Sequence, residues 1–329
     1  METPRNPRTL ERRAHCRAQA RQIDRQSQHR SRLPWVASAV ALLLVACSNA
    51  SSDDANSVTV TALPAGTVPL TSISVEPSST SSEPVAGTSS SGELTLVALG
   101  DSVPFNSSND CSGCVGYVDQ YKDAIATATG KAVTVVTLSS HAGLTSTGLS
   151  ADLANDASLR ASVAAADAIT ISIGFNDAPM LVDDDPCDGA VGDTQLGTYT
   201  DACISQWADA FAERYTTILD EIKTLRGDKP TLLTVINIFD TWLGFSGNPA
   251  DFNAHIGVVK TLLESQNAAI CRVAADHGAL CADLHSAFNG ANHDQPSGAL
   301  LGPDYSHPSQ AGNDLIAKTL ENLGFAPLA

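Results

Sequence analysis

"LTLVALGDSVPFN", residues 94 to 106, decides how this chain folds. An apolar run broken only by Thr95 leads into Gly100, Asp101 and Ser102, so a buried strand gives way to a loop that presents a serine. Runs of the same kind recur as "VTVVTL" (133 to 138), "AITISI" (168 to 173), "TLLTVINI" (231 to 238) and "ALCADL" (279 to 284). They are rich in Val, Ile, Leu and Thr, and several lack polar alternation, as expected when both faces of a sheet are covered. Between them, Ile204, Trp207, Phe211, Tyr215, Ile218, Leu219, Ile222 and Leu225 keep helical spacing, as do Phe252, Ile256, Val259, Leu262, Ile270 and Val273. A last helix is expected from Ser309 to Asn322. Strand and helix in alternation mean a parallel sheet with helices on both faces. Five strands predict a flavodoxin-like doubly wound α/β domain over residues 93 to 329, with its site at the carboxyl ends of the strands.

The first part of the chain reads differently. Residues 1 to 34 hold nine arginines and three acids, and "WVASAVALLLVA" (35 to 46) follows, ending at Cys47. A basic segment, a short apolar segment and a small-residue junction make an export signal, and spanning a bilayer takes about 20 apolar residues. The junction "LVAC" resembles the lipobox of bacterial lipoproteins, in which the cysteine is lipidated; ordinary cleavage nearby is the alternative. Residues 1 to 46 are thus expected to be a lipoprotein-type signal. Residues 47 to 92, rich in Ser, Thr and Pro, are expected to be a flexible tether, because they cannot bury enough apolar surface to offset their ordering entropy.

Residues 1 to 46 carry nine of the 19 basic and three of the 36 acidic residues, which leaves 10 basic and 33 acidic residues and a formal charge of −23 beyond them. Such a surface repels nucleic acid and anionic headgroups, so the membrane is expected to be reached only through the lipid anchor. Six cysteines lie beyond Cys47. In an exported protein they read as disulfides, and sequence order favours Cys111 with Cys114, Cys187 with Cys203 and Cys271 with Cys281, out of 15 possible connectivities. A zinc or redox role for "CSGC" lacks support, since no second closely spaced ligand pair follows and no thioredoxin-like strand precedes it.

Three further segments share the carboxyl edge with Ser102. The second strand runs into "SSHAGLTS" with Gly143, the third into "GFND" with Asn176, and "DYSHPS" sets Asp304 three residues before His307 ahead of the last helix. Each motif alone recurs by chance, and each has a plain structural reading as a turn or helix cap. The ordered set is specific, and it resembles the SGNH/GDSL hydrolase family. "GDSV" matches the block carrying the nucleophile, Gly143 the second block, Asn176 in "GFND" the third, and "DYSH" the last; His141 stands where the family often has Asn.

The resemblance implies the SGNH hydrolase fold and a serine ester hydrolase in which Ser102 attacks, His307 is the base and Asp304 orients it. An oxyanion hole would come from the N–H groups of Ser102 and Gly143 and the side-chain amide of Asn176. A small-molecule, lipid or glycan ester is the implied substrate, with no cofactor, no metal and a monomeric chain. Asp101 and Asp177 are expected to hold loops. His255 and His277 fall in helical segments, His293 in a polar loop, and His285, after the fifth strand, is expected at the surface, with the pocket lining as the alternative. Loops 176 to 198, 239 to 251 and 286 to 306 are expected to wall the pocket; "APMLV" (178 to 182) and "TWLGF" (241 to 245) either form an acyl site or pack against the domain. A non-catalytic glycan- or lipid-binding module on the same fold is the competing reading, and the intact Ser, Gly, Asn, Asp and His weigh against it. A metal-dependent hydrolase has no clustered ligand set in the sequence.

Overall fold

The structure is a computed structural model that describes residues 92–106, 109–138, 140–181, 187 and 195–329. Residues 1–91, on which the expected export signal, Cys47 and all of the expected tether but Gly92 fall, lie outside the described residues. Strands β1 (Glu93–Gly100), β2 (Ala132–Val136), β3 (Ala168–Ser172), β4 (Leu232–Ile236) and β5 (Leu280–Ala282) pair in parallel in the order β2-β1-β3-β4-β5. This is the flavodoxin-like order, with its topological switch point between β1 and β3.

Nine α-helices among the described residues complete the layers: α1 (Ser102–Phe105), α2 (Tyr117–Thr129), α3 (Ser146–Asn155), α4 (Ala157–Ala165), α5 (Asp201–Arg226), α6 (Ala250–Ala254), α7 (Ile256–Asp276), α8 (Leu284–Asn289) and α9 (Gln310–Asn322). The period of two along β1 divides its side chains between two cores. Val97 and Leu99 join Leu149, Leu159, Phe211, Tyr215 and Leu262 from α3, α4, α5 and α7. Leu96 and Ala98 join Tyr117, Tyr121, Ile316 and Leu320 from α2 and α9. Both faces are therefore sealed, and only the strand ends stay open to a ligand.

The second and fifth runs are shorter as strands than as read, β2 stopping at Val136 and β5 at Ala282, and two further boundaries differ for a side-chain reason. The "TLLTVINI" strand stops at Ile236 because the Asn267 amide binds both sides of the next-but-one peptide, accepting from the Ile238 N–H at 2.8 Å and donating to its carbonyl at 2.7 Å. The helix read from Phe252 to Val273 is two helices broken at His255. There Asp251 Oδ2 accepts the Leu196 N–H at 2.8 Å, which holds α6 to the 196–198 turn while α7 packs into the core. The structure joins the cysteines as Cys111–Cys114, Cys187–Cys203 and Cys271–Cys281, with Cα atoms 5.5, 5.6 and 5.3 Å apart.

Candidate active site

The chain leaves β1 pressed against β3. Gly100 has φ 140°, and a Cβ there would lie 1.9 Å from the Ser172 carbonyl oxygen, so only glycine fits. The Asp101 N–H then donates to that same carbonyl at 3.0 Å, and Asp101 Oδ1 accepts the Val103 N–H at 3.1 Å, capping α1 and turning Ser102 out over the sheet edge. Burial pushes the Asp101 carboxyl up to about 7 despite the Val103 hydrogen bond.

The loop after β2 stays beside this turn through the His141 N–H, which donates to the Gly100 carbonyl at 3.3 Å. His141 thus serves through its backbone, and its exposed ring lies 3.2 Å from the neighbouring Ala142 carbonyl. Gly143 follows at φ 78°, a left-handed conformation suited to glycine, with open space where a side chain would stand. Asn176, in the short 3-10 turn after β3, donates from Nδ2 to the Leu144 carbonyl at 3.0 Å, which leaves its second amide hydrogen for a ligand. Asp177 accepts from the Ser146 N–H at 2.8 Å and the Ser146 hydroxyl at 2.6 Å, tying the start of α3 to the end of β3.

His307 and Asp304 arrive on a tight loop between Leu301 and α9, closed by the Gly302 N–H to the His307 carbonyl at 2.7 Å and by the bridge Leu301–Pro308. Tyr305 at its tip takes a left-handed φ of 59° and stacks on Phe245 at 4.8 Å. Asp304 Oδ1 accepts the Ser306 and His307 N–H groups, both at 3.1 Å, while Oδ2 lies 2.5 Å from His307 Nδ1. Burial alone would raise this carboxyl, but these hydrogen bonds outweigh it and hold Asp304 below the usual range. An ionised carboxylate only accepts, so Nδ1 carries the ring proton and Nε2 turns a lone pair to Ser102 Oγ, 2.7 Å away.

Ser102, Gly143, Asn176 and His307 line one cleft of about 160 Å³, whose apolar wall includes Val103, Ile173, Phe175, Ile238 and Phe239. Among the described residues the Ser102 and Gly143 N–H groups have no protein acceptor. "APMLV" and "TWLGF" contribute little to this wall: Ala178 and Met180 lie in the core, and Trp242 stacks on Phe175 at 5.1 Å from the core side.

Three features escape the sequence. Asn237 lines the cleft because β4 ends one residue before it. Asp110 places Oδ2 3.7 Å from His307 Nε2, and nothing in its neighbourhood beyond "CSGC" marks it. His285 is a correction: it is 1% exposed, not at the surface, because α8 turns it inward, where it stacks on His293 with ring centroids 3.7 Å apart. His255 sits at the break between α6 and α7, and His277 caps the C-terminal end of α7.

Residues 98–315 match the model of the GDSL-like lipase/acylhydrolase family. No curated protein gives a significant match. Among solved structures, a lipase from a goat rumen metagenome is 20% identical, covers 72% of this chain and 100% of its own, and superposes with a TM-score of 0.56. An acetylxylan esterase from Geobacillus stearothermophilus is 19% identical over 72% of this chain and 95% of its own, with a TM-score of 0.45. The lipase superposition shows the shared fold, and the family match spans the greater part of the chain, including every block at the cleft. The chain belongs to the GDSL-like lipase/acylhydrolase family and is a carboxylic ester hydrolase.

Proposed function

We propose that the chain cleaves carboxylic esters through an acyl-enzyme on Ser102. The Ser102 O–H proton passes to His307 Nε2 as Oγ bonds the carbonyl carbon. Asp304, bonded to Nδ1–H, holds the tautomer and offsets the imidazolium charge. The oxyanion takes donors from the Ser102 and Gly143 N–H groups and the Asn176 amide, each of which is worth about 2.7–4 kcal/mol in a site of this kind. Nε2–H then protonates the departing alkoxide. A water activated by the same nitrogen releases the acid. One observation carries the proposal: Ser102 Oγ, His307 Nε2, His307 Nδ1 and Asp304 Oδ2 form a continuous hydrogen-bonded line that reaches the cleft at Ser102 and His307.

The cleft is below the roughly 300–1,000 Å³ of pockets for drug-sized ligands, and its apolar wall suits a short acyl chain. Hydrolysis of p-nitrophenyl esters from acetate to palmitate by the wild-type chain and Ser102→Ala tests both statements. Turnover greatest for acetate to butyrate and absent in the variant is expected; a palmitate optimum would reject the short-acyl assignment. We also propose export, with Cys47 lipidated and residues 47 to 92 tethering a single domain from 93 to 329 as a monomer. Metabolic labelling with a palmitate analogue, lost in Cys47→Ala, is the corresponding test.

A further inference from the structure

The "DCSGC" turn, Asp110 to Cys114, has no part in the scheme above, yet it reaches the reacting atoms. Asp304 occupies the Nδ1 side of His307, while Asp110 Oδ2 stands 3.7 Å from Nε2, the nitrogen that faces Ser102. The two side chains are largely screened from solvent, with 23% of Asp110 and 22% of His307 exposed. We propose that Asp110 is a second acidic positioning residue for the catalytic imidazole, acting on its Nε2 side, and that the Cys111–Cys114 bridge holds it there. The proposal rests on the serine hydrolase assignment.

The distance defines the role. At 3.7 Å the carboxylate is too far to take the Nε2 hydrogen bond from Ser102 at 2.7 Å, so it does not compete for the proton. It is near enough to favour the positive charge that appears on the ring when the Ser102 O–H bond breaks and the N–H bond forms. That charge exists in the transition state and tetrahedral intermediate, not in the resting enzyme, so the interaction lowers the barrier rather than merely binding substrate.

The turn is anchored to α9, the helix that follows the His307 loop. Cys114 N–H donates to the Cys111 carbonyl at 3.2 Å, and Asn106 Nδ2 to the Cys114 carbonyl at 3.2 Å. Val115 is gripped on both sides by Gln310 in the first turn of α9, its N–H donating at 2.8 Å and its carbonyl accepting at 3.2 Å. Asp110 also packs its carbonyl against Gly302, where a Cβ would lie 3.1 Å away. The Cys111–Cys114 bridge ties the two ends of the turn together.

The ligand atoms of Asp110, Asp304 and His307 all lie within 4.8 Å of one another. Both ring nitrogens of His307 are already engaged, by Asp304 and Ser102, so the carboxylates serve the imidazole and not a cation. The groups that bear on its charge are Asp110 from the disulfide turn, Asp304 from its own loop, and Asp101 buried at the end of β1.

The test is kcat/KM against pH for the full chain, Asp110→Asn, Asp110→Glu, Cys111→Ser/Cys114→Ser and the control Cys271→Ser/Cys281→Ser. Asp110→Asn is expected to move the acid limb to lower pH and to reduce kcat/KM by roughly 3- to 30-fold. Asp110→Glu should recover part of both. The Cys111/Cys114 variant should reproduce the shift and add little to Asp110→Asn, since both act on one coupling. The Cys271/Cys281 variant should lower Tm and leave the acid limb in place. An acid limb unmoved by Asp110→Asn would overturn the proposal for Asp110; loss of Tm alone in the Cys111/Cys114 variant would overturn it for the bridge. In a Ser102→Ala background, the NMR ring signals of His307, identified by their loss in His307→Gln, read the same coupling without turnover. If the wild-type chain hydrolyses no ester while those signals respond to Asp110→Asn, the Ser102 acyl-enzyme scheme is rejected and the charge coupling kept; no response would reject the coupling itself.

Discussion

His307 and His285 stand at the same edge of the sheet, and their surroundings separate the imidazole proposed as the base from a buried one without hydrogen-bond partners among the described residues. His307 has a carboxylate on one nitrogen and a hydroxyl on the other, at the floor of an open cleft. His285 is sealed beneath the neighbouring loop, stacked flat on His293, and among the described residues neither of its ring nitrogens has a partner. Burial first, and then the charge of His293, hold its pKa down to about 4, so it fills space as a neutral ring. His293 meanwhile meets Glu264 and Ser286, each at 3.2 Å. An imidazole becomes a base through what its two nitrogens touch; position near the catalytic edge is not enough.

The sharpest way to break this comparison is to delete each ring in turn. His307→Ala and Ser102→Ala should each lower kcat on the order of 10⁴-fold or more, whereas His285→Phe should keep it within a few-fold. Comparable losses from both histidines, measured by steady-state ester hydrolysis, would erase the distinction.

In the proposed mechanism the charge made when His307 takes its proton is balanced across the cleft by the oxyanion, so the donors proposed to face that oxygen come next in size. Asn176→Ala should lower kcat by about 10²- to 10³-fold with little change in KM, because the amide meets the oxyanion rather than the ground-state ester. A change confined to KM would place Asn176 in substrate binding instead.

The smallest effect concerns stability and tests the inert ring directly. A histidine neutral in the fold down to about pH 4, against the ordinary 6.5, contributes stability that is fully present above about 6.5 and lost as pH falls to about 4, roughly 3 kcal/mol in all. Asp101 works with the opposite sign: its carboxyl, raised from 3.8 to about 7, contributes stability that is full below about 3.8 and fades as pH rises to about 7. The difference between wild type and His285→Phe isolates the first term. Denaturant unfolding at pH 7 and pH 5 should show the wild type losing more stability than the variant, and equal losses would mean that His285 is hydrated or paired.

The contrast between the two histidines also marks what a linear chain displays. The five strands were legible because alternating cores on both faces demand apolar runs, and Ser102, Gly143, Asn176, Asp304 and His307 were legible because each sits where a run ends or just before a helix. Strand ends were less so: β4 stops where Asn267, far along the chain, captures the Ile238 peptide. The inward turn of His285 depends on α8, whose first residues carry no periodic signal in six positions. Asp110 was invisible for a related reason. Its meaning comes from a contact with His307 across most of the domain, and no local spacing encodes that proximity.

The most direct test of the central claim is covalent: treat the full chain with a fluorophosphonate and map the adduct by peptide mass spectrometry. Labelling should fall on Ser102 alone, vanish in Ser102→Ala, and slow by orders of magnitude in His307→Ala while persisting in His285→Phe. Labelling at another serine, or an undiminished rate without His307, would contradict the Ser102–His307–Asp304 assignment.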